Sequence, residues 1–451
     1  MLIYGRKVAV KWFKRFLAVL LCAALVLVIL AALITTTVNN TLLKSQFINE
    51  ELAQADVYNF VYDEALPVAL EEIDGNSEVP LDFAAMAPDI VSAARKALPP
   101  EWLRQNSELL VNTVYPYLVG DTEAFSYTIV LQDRAEAAFT AIKEDILRGN
   151  SSAELYNSFL VYLSEAISDY AAESFPEAGL TEAEVENWLK GAVSQDWLIS
   201  QLEGVLDEIK PYIEGDSEHF LIQLSSDIIT DEALLNIIGE GNEAYLDDVR
   251  GVINSKLTFT ETELESLLGE EGSPVLNDVR HWIKDGYTLT EKDLSLALAQ
   301  TPEDLTAFNN ARHEIKTARS WLWAFWLPPV FLLVGIAFLG GESWKGRILW
   351  AIVPFFIISL ALYFAIGLFD SNTISLFFHE IYNVSPLGDL ENALAAKTSE
   401  ISGNVALDMI NNLKMSSGGL ALLLGLGLLG FVAWSITNKR KEQQKPKRRS
   451  H

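Results

Sequence analysis

Hydrophobicity along this chain follows two patterns. Four stretches are apolar on every side: 16–38, 321–340, 348–369 and about 418–436, and none contains Asp, Glu, Lys or Arg. Crossing roughly 30 Å of hydrocarbon takes about 20 such residues, so each stretch predicts a transmembrane helix. The remaining sequence is amphipathic. In 39–320 and in 370–417 apolar positions recur at helical spacing, which predicts helices with one buried stripe. Leu387, Leu390, Leu394, Ile401, Val405, Met409 and Leu413 make such a stripe in the second segment.

The amphipathic middle is repetitive. Trp102–Phe125 matches Trp197–Phe220 at nine of 24 positions under a constant shift of 95, without a gap. The matches include Trp102/Trp197, Pro116/Pro211, Tyr117/Tyr212, Gly120/Gly215, Asp121/Asp216 and Phe125/Phe220. Residue types this rare do not coincide by chance, so repeats of about 102–131 and 197–226 are expected. In each, an apolar stripe predicts a helix, a late proline loosens its last turn, and Gly-Asp-[Ser/Thr]-Glu predicts a turn. The period then changes to two (Phe125, Tyr127, Ile129, Leu131; Phe220, Ile222, Leu224), which predicts a short strand. Pairing of these two strands with each other would give a pseudo-symmetric α+β body.

A second match has a shift of 30: Leu246–Leu264 against Leu276–Leu294, nine of 19 positions. Capping-box spacing at Thr260/Glu263 and Thr290/Asp293, as at Thr181/Glu184, marks helix starts. These repeats, about 246–275 and 276–305, are read as two stacked helical hairpins. The segment from Thr301 to Arg319 is expected to continue as helix toward Trp321.

Composition adds a direction to this layout. The chain carries a net charge of −28, concentrated in 39–320, where 53 Asp and Glu face 17 Lys and Arg. Outside that region bases dominate: Arg6, Lys7, Lys11, Lys14 and Arg15 precede the first run, Lys345 and Arg347 sit between the second and third, and Lys439–Arg449 follow the fourth. The positive-inside rule places all three basic groups in the cytoplasm and the acidic domain outside. Arg312, Lys316 and Arg319, on the outer flank, count against this but are outnumbered. Trp321, Trp323, Trp326, Trp344 and Trp350 form an interfacial aromatic belt. The first run is long for a signal peptide and lacks a small-x-small cleavage site, so it is read as a retained anchor.

The sections expected are therefore 1–15 cytoplasmic, 16–38 transmembrane, 39–320 the acidic extracytoplasmic domain, 321–340 transmembrane, 341–347 a cytoplasmic link, 348–369 transmembrane, 370–417 a second external loop, 418–436 transmembrane, and 437–451 a basic cytoplasmic tail. The fold class is a mainly α membrane protein with a large, mostly helical (α+β minor) extracytoplasmic domain containing an internal duplication. Pro328 and Pro329 should kink the second span and Pro354 the third.

Candidate chemistry narrows little. His219, His281, His313, His379 and His451 have no metal-ligand spacing with one another or with Cys22, the single cysteine. Gly425–Gly430 spells a dinucleotide fingerprint inside a membrane run with no strand before it, so Ala421 and Gly425 read as close helix packing. The Asp121/Glu123 and Asp216/Glu218 turns could seat calcium, but neither has EF-hand spacing, and solvated turn residues are the better reading. Asp247 and Asp248 read as exposed charge. No catalytic, cofactor-binding or metal-ligating residue is nominated, and no cofactor is implied. An acidic domain is a poor match for nucleic acid. The partners implied are the lipid bilayer and a protein or envelope component met by the acidic domain, with the oligomeric state open.

Three functions fit. The first is a non-enzymatic, membrane-anchored interaction or scaffold protein. The second is a transport-associated subunit, since one span, a large external domain and three further spans resemble, in layout alone, the mechanotransmitting ABC permeases of the FtsX and MacB type. An exported hydrolase is the third.

Overall fold

The computed structural model describes residues 2–74, 81–174, 180–227, 229–238, 243–261, 272–298, 301–369, 371–382 and 388–443. It is mostly helical, with four short strands and four helices long and apolar enough to cross a membrane. The chain is thus consistent with a multi-pass membrane protein.

The first span lies in α1 (Leu2–Asn40). The acidic region then forms α2 (Ser45–Gln54), α3 (Val57–Phe60) with a π turn at 61–65, α4 (Leu66–Asp74), α5 (Phe83–Ala97), α6 (Pro100–Leu118), strand β1 (Ser126–Ile129), α7 (Gln132–Ala141), α8 (Ser151–Ser174), α9 (Glu182–Ala192), α10 (Gln195–Ile213) and β2 (Leu221–Gln223). It continues through α11 (Asp231–Ile238), α12 (Leu246–Lys256), β3 (Thr258–Thr260), α13 (Gly272–Asp285), β4 (Tyr287–Thr290), α14 (Glu291–Leu298) and α15 (Pro302–Ser320). The remaining spans lie in α16 (Leu327–Gly340), α17 (Trp344–Ile366) and α19 (Asp389–Gln443), with α18 (Ser371–Tyr382) between the last two.

Local chemistry sets many of the starts. The Asp82 carboxylate accepts from Ala85 N at 2.7 Å ahead of α5, and Ser194 accepts from Trp197 N at 3.2 Å ahead of α10. Thr181 and Glu184 close a full capping box before α9, as do Thr301 and Asp304 before α15. At α14, Asp293 accepts from the Thr290 N–H and hydroxyl. Glu263, the partner expected for Thr260, lies outside the described residues.

Three expectations need correction. First, the strands do not pair across the 95-residue match: β1 pairs antiparallel with β4, and β2 with β3. Second, strands β3 and β4 stand within the segments read as helical hairpins, so 276–298 is helix–strand–helix, while much of the second half of 246–275 lies outside the described residues. Thr-rich stretches such as Thr258–Thr260 and Thr288–Thr290 favour extended backbone, and an unpaired short strand gains a ladder by meeting one. Third, Pro328 and Pro329 open α16 rather than kink it. A helix's first turn has free N–H groups anyway, so proline is tolerated there. The helix expected from Thr301 to Arg319 is present as α15, which ends at Ser320, and a 3-10 turn at Leu322–Trp326 follows before the span.

Another expectation changes in scale. The amphipathic part of the second loop and the fourth span are one helix, α19, of 55 residues. At 1.5 Å per residue it is about 80 Å long, far more than a bilayer needs. Its first half rises from the membrane and packs on α2, α4 and the π turn, and Glu72 accepts from Leu390 N at 2.9 Å. The Ser416–Gly419 stretch does not break it: Ser417 bonds back to Lys414 O at 2.8 Å, keeping its donor satisfied.

Two cores result. One holds the spans together through Leu25, Ile29, Leu33, Ile336, Ile358 and Leu362. Trp326 Nε1 donates to Thr36 Oγ1 at 3.1 Å, tying α1 to the start of the second span. Ala421 is buried, and a Cβ at Gly425 would stand 3.2 Å from Phe356, so both pack α19 closely on α17. The other core fills the acidic region around α8, α9, α10, α12 and β2, with Leu160, Leu189, Tyr212, Phe220 and Ile253 among its buried members.

Strand pairing gives a direct check. Thr128 and Thr288 face each other, with hydroxyls 2.8 Å apart. In a Cys22→Ser background, T128C/T288C should form a disulfide under mild oxidation. T128C/Q223C, which pairing of β1 with β2 would favour, should not; the reverse pattern, read on a non-reducing gel, contradicts this topology.

Candidate functional site

The acidic region's most distinctive geometry is at the two Gly-Asp turns. Each helix before them ends in a Schellman arrangement. Asp121 N donates to Pro116 O at 2.8 Å and Gly120 N to Tyr117 O at 3.0 Å. Ninety-five residues on, Asp216 N donates to Pro211 O at 2.8 Å and Gly215 N to Tyr212 O at 3.1 Å. The left-handed residue is Gly120 in one turn (φ 78°) and Gly215 in the other (φ 76°), where a side chain would be strained. The late proline does not loosen the helix end; its carbonyl closes the turn.

Each turn is then closed by an arginine from a distant helix. Arg312 of α15 places its guanidinium 3.6 Å from the centroid of the Tyr117 ring. Its Nε donates to Tyr117 O at 2.7 Å and its Nη2 to Thr122 O at 2.9 Å. Arg280 of α13 does the same to the second turn: 3.9 Å over Tyr212, with Nε to Tyr212 O and Nη2 to Ser217 O, both at 2.7 Å. The tyrosine packs in turn on the first strand-side aromatic, Tyr117 on Phe125 at 5.2 Å and Tyr212 on Phe220 at 5.0 Å. A flat cation with forked donors can cover a ring and bond two carbonyls together, which an ammonium cannot.

The strand registers agree with this. Ser126 pairs with Thr290 and Leu221 with Thr260, so a step of 95 on one side accompanies a step of 30 on the other. The arrangement is nested: the outer pair is α6–β1 with β4–α15, the inner pair α10–β2 with β3–α13.

The clamps also account for the acidic turns. Asp121 pairs with Arg319, and Glu123 with Lys316 at 3.3 Å. The positive charge these carboxylates meet is α15's own. Asp216 and Glu218 are exposed, as are Asp247 and Asp248, and in the second turn Lys284 Nζ donates to Gly215 O at 2.7 Å. His219 pairs with Glu261 at 2.6 Å on the surface. The Glu261 carboxyl is held below the usual range by its own backbone N–H first and by His219 second. Among the described residues no three His, Cys, Asp or Glu side chains are grouped to hold a metal ion.

Arg312 and Lys316 were legible as clamp residues, through a match with a different shift. Asn277, Arg280, His281, Ile283 and Lys284 recur 32 residues later as Asn309, Arg312, His313, Ile315 and Lys316. The two extra residues break the 30-residue register, so a constant-shift comparison misses the third copy.

No family model, curated protein or solved structure matches this chain.

Two substitution sets test the clamps. R312K and R280K should each lower stability by roughly 2–3 kcal/mol, through the lost ring contact and forked hydrogen bonds; equal melting of R312K and wild type in detergent would refute the clamp. At the glycines the effects should differ. G215A meets only the flexible Lys284 side chain at 3.0 Å and should cost about 1–2 kcal/mol of backbone strain. G120A meets the Arg312 carbonyl at 2.7 Å, part of the α15 backbone, and should cost roughly 1–3 kcal/mol more.

Proposed function

We propose that this chain is a membrane-anchored scaffold whose acidic region stands on the extracytoplasmic side and binds a protein, envelope or lipid partner without catalysing a reaction. In this reading 1–15, 341–347 and 437–451 are cytoplasmic, and the matched segments are duplicated copies of one module.

One observation carries the scaffold reading: the acidic region is joined to the membrane by two helices besides α1. Helix α15 supplies the first clamp and leads, through one 3-10 turn, into the second span. Helix α19 runs unbroken from its contacts with α2 and α4 into the fourth. A body held this way presents a surface at a set height and tilt above the bilayer, which suits recognition more than turnover. The clamp also bears on orientation. Arg312, Lys316 and Arg319 are engaged by Tyr117, Thr122, Glu123 and Asp121, so their flank carries less free positive charge than its sequence suggests. That strengthens the positive-inside assignment.

The transport-associated reading shares the layout and the two helical links. It is the weaker because only Gly341–Ser343 separate α16 from α17, leaving no helix there to dock an ATPase. Co-purification of an ATPase with the full-length protein would reverse that ranking.

Two experiments test the proposal. In a Cys22→Ser background, N150C should react with an impermeant maleimide in intact cells, and K439C only after permeabilisation; the opposite labelling would put the acidic region in the cytoplasm. Photo-crosslinkers at the exposed Leu109, Val130 and Leu221, which are 56–66% accessible, should capture one recurring partner in cells. R312K should weaken that capture at least several-fold while expression persists. Hydrolytic turnover by the full-length protein, with no recurring crosslink, would favour the hydrolase instead.

A further inference from the structure

Glu51 is the most deeply buried acid in the described structure, with 1% of its surface accessible. It sits on α2, just beyond the first span, and neither of its carboxylate oxygens has a hydrogen-bond donor within reach. The ionisable neighbour that acts on it most strongly is another acid, Asp408 of α19, the helix packed against α2. Glu50, on α2 itself, adds a second negative field. The other helices packed on α2 bring polar groups and one cation, Arg104 of α6, which is taken up by Glu101 at 2.8 Å and Glu108 at 3.6 Å. Asn112 of α6 accepts from the Asn49 amide at 3.3 Å, and Tyr58 of α3 turns its phenol toward Ser107, Glu108 and Arg104.

Two ionised carboxylates cannot share such a position without a large penalty. An unpaired buried charge costs several kcal/mol, and a second like charge in contact adds to it. A proton resolves both problems: it neutralises one carboxyl and supplies the donor that the orphaned oxygens lack. We propose that Glu51 is a protonated carboxyl that latches α2 to α19 by donating to Asp408 while it holds its proton, and releases the contact when that proton leaves to water. The pair then sets whether α2 is fastened to the helix of the fourth span, beside the contacts that α4 and Glu72 make with it.

The direction of the linkage follows. Burial first, then the charge and hydrogen bond of Asp408, then Glu50, push the Glu51 carboxyl up to about 7. Once the contact opens and the group is solvated, it returns to the ordinary range near 4.5. A group raised in the closed state stabilises that state fully below its open-state value, and this stabilisation is lost as pH rises through about 7. The opening equilibrium therefore increases by up to tenfold per pH unit between about 4.5 and 7, then levels off.

The test uses the full-length protein in lipid nanodiscs. Infrared difference spectra should show a protonated carboxyl at pH 6 that disappears by pH 8, with a midpoint near 7, and E51Q should lack the band. Hydrogen exchange at 45–54, corrected for intrinsic rates, should lose protection by on the order of a hundredfold between pH 5 and pH 8 in the wild type. E51Q should show little pH response, and D408N should move the midpoint down. D408N also supplies the test if E51Q does not fold. Glu51 ionised throughout this range, a wild-type pH response in E51Q, or a titrating band with unchanging protection would each overturn the latch.

Discussion

The acidic region is organised by the stacking of an arginine on a tyrosine at the end of a helix. A helix terminus leaves carbonyls without partners, and a short strand leaving a sharp turn cannot supply them. Here the Schellman turn satisfies some, and a guanidinium from far along the chain satisfies others while covering the ring below. Because Arg312 and Tyr117 lie 195 residues apart, this contact sets tertiary structure as well as closing a turn. It fixes which late helix docks on which early one, and the strand beside each helix is carried into register.

The nested pairing follows from that choice. Had β1 and β2 paired with each other, the two turns would stand side by side and α13 and α15 would have no matching docking sites. With the clamps in place, the inner pair closes on the core around Tyr212 and Phe220, and the outer pair stays at the periphery, where α15 turns toward the membrane. Charge follows the same division. The outer turn meets Lys316 and Arg319 from α15, while the inner turn leaves Asp216 and Glu218 to solvent.

The sequence was most legible where a pattern is local. The four spans, the Thr181/Glu184 cap, the alternation around Ile222 and the close packing at Gly425 all depend on residues a few positions apart. The 95- and 30-residue matches were visible as well, yet their relation was not. Register between β1 and β4 depends on contacts across more than 150 residues, and periodicity contains no such information. The second Arg-His-x-Ile-Lys helix, at 312–316, was hidden by a two-residue insertion. Glu51 and Asp408 had no signal at all: each looks like one more acid among 61, and only the burial of Glu51 beside Asp408 sets them apart.

The two attachments of the acidic region differ in kind, and that difference gives the architecture its mechanical character. At α15 the attachment is a stacked, forked cation with its counter-charges beside it; guanidinium stays protonated at any physiological pH, so this joint is permanent. At α19 the attachment includes two acids in contact, stable only with a proton between them. A body held at one permanent and one conditional joint has a defined hinge and a defined direction of release: the α2 side lifts from α19 while α15 stays fastened. The 3-10 turn at Leu322–Trp326, next to the permanent joint, is the short irregular stretch through which such a tilt would reach the second span.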